Sequence, residues 1–100
     1  MAQEYLVTLN VPPALDGVVV DNLLMMEFER GFSGSIVFSH HHENKGLSLS
    51  EQVTGRQKRI CFQVYVDDEN LVKLLSQLRE SFENSGIQYW VIPVLENGVL

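Results

Sequence analysis

A single cysteine, Cys61, stands in the 100-residue chain. One thiol cannot close an internal disulfide, and it rules out a zinc site built from several cysteines. Basic side chains are also scarce, seven Lys and Arg against thirteen Asp and Glu, for a net charge of -6. That balance excludes a general nucleic-acid binder, which needs a basic face to displace counterions. It also argues against docking on anionic lipid. No apolar run approaches the ~20 residues of a membrane-spanning helix, so no direct membrane insertion is expected. The opening Met1-Ala2-Gln3-Glu4 lacks the basic region and apolar stretch of a signal peptide, which makes a cytoplasmic location the expectation. Nucleophile elbows, His-Glu-x-x-His pairs and Gly-rich phosphate loops are missing, and the chain is therefore expected not to be an enzyme.

What is present is a core. Hydrophobic residues make up 45% of the chain, enough for one domain over residues 1–100. Tyr5, Val7, Leu9 and Val11 share one face of a half-buried strand. Pro12 and Pro13 stop it and suit the first turn of a helix over about 14–26. Leu15, Val18, Val19, Leu23 and Met26 fall near helical spacing there, although Gly17 and three successive valines weaken the helix. Arg30-Gly31 marks a turn, and residues 32–41 read as a second strand with Phe32, Gly34, Ile36 and Phe38 on one face.

A polar loop follows, at about 42–58. Ile60, Phe62, Val64 and Val66 then alternate as a third strand. Asp67 or Asp68 caps a helix whose apolar stripe is Leu71, Leu74, Leu75, Leu78 and Phe82. With Asp67 as the cap, Val66 can staple onto Leu71. Gly86 stands where a left-handed stop is expected. Ile87–Val94 forms the last strand, and the tail 95–100 adds a turn or short strand.

The order β-α-β-β-α-β predicts an α+β, ferredoxin-like domain, a four-stranded antiparallel sheet with both helices on one face. The opposite face then carries Leu6, Thr8, Val37, Cys61, Tyr65, Trp90, Ile92 and Val94. A water-facing sheet surface should be mostly polar. Either some strand faces are misassigned, or another subunit covers this side. The second option makes Leu6, Tyr65, Trp90, Ile92 and Val94 candidate contacts of a homo-oligomer.

Two constellations have chemical potential. His40, His42 and Glu43 can ligate a divalent transition metal such as zinc, copper or nickel, with His40 and His42 on one side of a strand end. The alternative is a solvated loop root. The segment from Glu43 to Arg59 holds Lys45, Arg56, Lys58 and Arg59, four of the seven basic residues. Ser48-Leu49-Ser50-Glu51 has the form of a capping box. Loops this long in compact domains are functional or disordered. Here Gly46 and Gly55 would hinge, Leu47, Leu49 and Val53 would pack, and the Arg and Lys side chains would meet an anion or a partner. Asp67, Asp68 and Glu69 are explained by the helix start, Cys61 by burial, and Met25-Met26 by helix packing.

The sequence resembles an uncharacterised PII-like family at three places. They are the stretch Gly46-Leu47-Ser48-Leu49-Ser50-Glu51-Gln52-Val53-Thr54-Gly55-Arg56, the end Tyr89-Trp90-Val91-Ile92-Pro93-Val94, and the opening strand with Pro12-Pro13-Ala14-Leu15. The resemblance implies a trimer with inward-facing sheets and a regulatory role in the manner of PII nitrogen regulatory proteins. It also implies a kinship with the copper-tolerance CutA proteins. Members are often associated with heavy-metal efflux systems, which points to a partner protein such as a transporter and to metal as a signal. The family pattern of true PII proteins is broken in two places. Asn84-Ser85-Gly86 runs straight into the last strand with no phosphate cradle, and no tyrosine lies between His42 and Arg59. Nucleotide and 2-oxoglutarate sensing are therefore not implied.

Three functions remain to be separated. They are a PII-like regulatory trimer whose loop binds a partner and a small ligand, a metal-binding or metal-tolerance protein using the histidines, and a small ferredoxin-like enzyme.

Overall fold

The computed structural model describes residues 3–40 and 56–100. Four strands, β1 (Glu4–Val11), β2 (Phe32–His40), β3 (Arg56–Asp67) and β4 (Gln88–Val94), form one sheet in the order β2-β3-β1-β4. Every neighbouring pair is antiparallel. Helix α1 (Asp16–Met25) connects β1 to β2, and α2 (Asp68–Phe82) connects β3 to β4. The element order is β-α-β-β-α-β, as the sequence predicts.

The register fixes the faces. Val7 stands opposite Val64, Leu9 opposite Phe62 and Val11 opposite Ile60. All six are buried, together with Val19 and Leu23 of α1 and Leu74 and Leu78 of α2. The two helices therefore cover one side of the sheet. Helix α2 starts where Asp67 accepts a hydrogen bond from the Asn70 N–H at 2.8 Å, the geometry of an N-cap. Pro93 is tolerated in β4 because β4 is an edge strand.

Several expectations need correcting. The first helix begins as a 3-10 turn at Pro13–Leu15 before α1 proper. Only Val19 and Leu23 of α1 are buried, and Val18 is half exposed. Val19 and Leu23 are spaced i, i+4, so Val18 is turned away from their line. Met25 is exposed rather than packed, while Met26 joins the core. Helix α2 stops at Phe82, and Asn84 takes a left-handed conformation two residues before Gly86 does the same. The tail after Val94 forms no strand; its Asn97 hydrogen-bonds Glu4 and Arg30.

The largest difference lies before Ile60. Arg56, Gln57, Lys58 and Arg59 belong to β3 and not to a loop, paired with β2 as far as His40 opposite Arg56. These strand ends run past the helices, so their core-side residues meet water. Ile36 and Phe38 stay exposed there, and Arg56 lies 4.1 Å above the Phe38 ring. Without a buried face the pattern carries no apolar alternation, and a strand reads as loop.

Candidate functional site

Arg59 is the unusual residue of the sheet. It is 8% exposed, on the face away from the helices, where charged side chains are seldom buried unless paired. From β3 its guanidinium reaches across β1. Nε donates to Asn10 Oδ1 at 2.6 Å, and Nη2 donates to the carbonyls of Asn10 at 3.2 Å and of Gly86 at 3.0 Å. Asn10 is paired with Cys61 of β3 and Gln88 of β4. One side chain thus ties β3 to β1 and to the α2–β4 turn, just inside the rung of His40 and Arg56.

Every one of those acceptors is neutral. Among the described residues no carboxylate pairs with Arg59, and Nη1 makes no hydrogen bond. Burial lowers its pKa, yet a guanidinium stays protonated in proteins. A guanidinium held by neutral groups, with Nη1 unengaged among the described residues, is chemically able to donate to an anion.

The rest of that face is apolar toward β4. Leu6 is flanked by Tyr65 of β3 and Ile92 of β4, and Thr8 by Gln63 and Trp90. Tyr65, Trp90 and Ile92 are 43%, 45% and 48% exposed, and Leu6 and Val94 are half-buried. All five residues expected at a subunit contact therefore lie on one side of the sheet, and Cys61, half-buried on the same side, stands between Asn10 and Ser35. The β2 end of the same face is polar, with Ser33, Ser35 and Ser39 alternating around Val37.

The remaining candidates divide. His40 is exposed at the end of β2. Arg56 and Lys58 project to the helix side of β3, opposite His40 and Phe38, and so are separated from Arg59 by the sheet itself. His42, Glu43, Lys45, Gly46, Leu47, Leu49, Val53 and Gly55, together with the capping box Ser48–Glu51, lie outside the described residues. No group of three metal-ligating side chains occurs among the described residues, and no described helix is long and apolar enough to cross a membrane. Sequence reasoning missed Asn10 and Gly86 as partners of Arg59. The available signal was Asn10 itself, a residue type depleted in strands, placed inside a clear strand.

The antiparallel β2-β3-β1-β4 sheet, with both helices on one face, is an α+β, ferredoxin-like fold of the kind seen in PII and CutA proteins. A family model described as "Protein of unknown function (DUF3240)" matches residues 1–100, and the chain belongs to that family. A crystal structure of a DUF3240 family protein from Shewanella baltica OS155 is similar at 24% identity, with a TM-score of 0.78 and coverage of 100% of this chain and 99% of that one. Arabidopsis thaliana PII bound to citrate is similar at 16% identity and a TM-score of 0.67, over 94% of this chain and 77% of that one. CutA from Synechococcus elongatus PCC7942 is similar at 12% identity and a TM-score of 0.64, over 92% and 77% of the two chains. No curated protein matches the sequence.

Proposed function

We propose that this chain is a non-enzymatic, homotrimeric regulatory module whose central segment presents a ligand-dependent surface to a partner protein. The observation that carries the proposal is the open sheet face. Its half-exposed Tyr65, Trp90 and Ile92 form a contiguous apolar patch rimmed by polar residues, the signature of an interaction surface. Three such faces packed inward would bury it, in the arrangement the PII-like fold suggests.

The ligand side of the switch rests on Arg59. It lies three residues beyond Arg56, the first described residue of β3. An anion bound there favours one arrangement of the connecting segment, and the partner reads the resulting population. Citrate, the anion on the Arabidopsis PII protein, is a suitable probe. The expected result is saturable citrate binding that weakens at least tenfold in Arg59→Gln.

Sedimentation equilibrium tests the assembly. The wild-type chain should sediment as three copies. Ile92→Glu should sediment as one while keeping its far-ultraviolet circular dichroism. A wild-type chain that stays monomeric at high concentration would sink the proposal.

A metal-tolerance role is the second reading, supported by the exposure of His40 at the strand end. It expects zinc, copper or nickel binding, measured by calorimetry, that disappears in the His40→Ala/His42→Ala double variant. The first reading expects no such loss.

A further inference from the structure

On the helix side of the sheet, α2 and the start of β4 do not close against each other. Between them lies a cavity of about 290 Å³ walled by Leu75, Leu78, Phe82 and Ile87, with Arg79 and Tyr89 on its lining. Leu78 is buried, and Leu75, Phe82 and Ile87 are partly so. Arg79 and Tyr89 are both exposed, and Arg79 Nη2 donates to the Tyr89 hydroxyl at 3.3 Å. Among the described residues Arg79 has no ion-pair partner.

These features meet the ordinary requirements of a small-ligand site: concave, apolar within, and carrying few polar groups that fix orientation. The Tyr89 oxygen accepts from Arg79, so its own O–H remains a donor for an incoming group. A charged N–H and a hydroxyl at one edge of an apolar well match one end of an amphipathic anion. The volume corresponds to about ten water molecules, which sets the size. We propose that this cleft binds a small apolar carboxylate of roughly ten non-hydrogen atoms, with the carboxylate on Arg79 and Tyr89 and the hydrocarbon against Leu75, Phe82 and Ile87.

Arg79 and Arg59 lie on opposite sides of the sheet, so this is a site distinct from the anion position above. It does not rest on the regulatory role. Glu83 also lines the cleft, one helical turn beyond Arg79, and its charge opposes the ligand. Removing that charge should therefore tighten binding.

The test is a nuclear magnetic resonance titration of the full chain with sodium octanoate, using octan-1-ol as the neutral control. Octanoate should give saturable shifts of the Leu75, Phe82, Ile87 and Tyr89 amides, with a Kd on the order of 1 mM or tighter. Arg79→Gln, at an exposed helix position, should weaken octanoate about tenfold and leave octanol unchanged. Glu83→Gln should tighten octanoate several-fold. Leu75→Trp, which fills the well, should abolish both. The proposal is overturned by an absence of saturable shifts up to about 10 mM. Shifts confined to the open sheet face would overturn it too, as would equal octanoate affinity in wild type and Arg79→Gln. Equal affinities would mean that only the apolar walls are used.

Discussion

The two faces of the sheet are built from alternate residues of the same strands, yet they end in different states. On the helix side, Val7, Leu9 and Val64 are wholly buried by α1 and α2. On the other side, Leu6, Tyr65, Trp90 and Ile92 are similar in apolar character but lie at the surface of a single chain. The first face is completed by the chain's own helices, and the second has no helix over it among the described residues. The contrast teaches that burial here is a property of the layer opposite and not of the residue.

The largest expected effect tests this contrast directly. Leu9→Ala removes a fully buried side chain next to Phe62 and should cost about 2–5 kcal/mol in a denaturant titration. That cost should be the same at every protein concentration. In the proposed trimer, Ile92→Ala on the open face should give a loss that depends on concentration, because its partners there would belong to other copies. Equal, concentration-independent losses at both positions would erase the distinction between the faces.

A smaller effect probes how closely the covered face is packed. Gly34 of β2 stands opposite Phe62, and a Cβ added there would approach the Phe62 ring to 3.0 and 3.1 Å. The ring is already fixed from another side by Phe32, edge-on with centroids 6.1 Å apart. Gly34→Ala should therefore cost about 1–3 kcal/mol through overpacking. Ser35→Ala, one residue along and on the open face, should leave thermal unfolding nearly unchanged.

How legible these features are in the sequence follows from the same asymmetry. Tyr5 to Val11 and Ile60 to Val66 alternate because a helix layer covers every second residue, and the strands they form could be placed from that pattern alone. Leu71, Leu74 and Leu78 repeat at helical spacing for the same reason, and Asp67 before them marks the start of α2. Arg56 to Arg59 had no such layer, and their strand was invisible. The Arg59 node was half legible. The residue itself stood out as a cation beside a strand, but its link to Asn10 and Gly86 joins positions 49 and 27 residues away. No local pattern encodes such a contact. The cleft between α2 and β4 was not legible at all, since Leu75, Phe82 and Ile87 look like ordinary core residues until the distance between their elements is known.

Next in size is the cap that joins the two layers. Asp67 closes β3 and opens α2, so its loss loosens the covered face at one corner. Asp67→Ala should cost about 1 kcal/mol, read as a fall in midpoint denaturant concentration with the slope preserved. Asp68→Ala, which removes a first-turn charge and not the cap, should cost less.

The smallest effect is at the edge of the covered face and is read by pH. Tyr5 is on the covered face, opposite Val66, at its open corner. The Asp68 carboxylate accepts its hydrogen bond, and together with burial and repulsion from that charge this raises the phenol pKa above 10.0. The folded state therefore holds the proton more tightly than the unfolded chain. By linkage, the contribution is present below about pH 10 and is lost as the pH rises through the folded-state pKa. Wild-type stability should fall in that alkaline range by an amount that Tyr5→Phe abolishes. If Tyr5→Phe left the alkaline slope unchanged, the Asp68 contact would not be its cause.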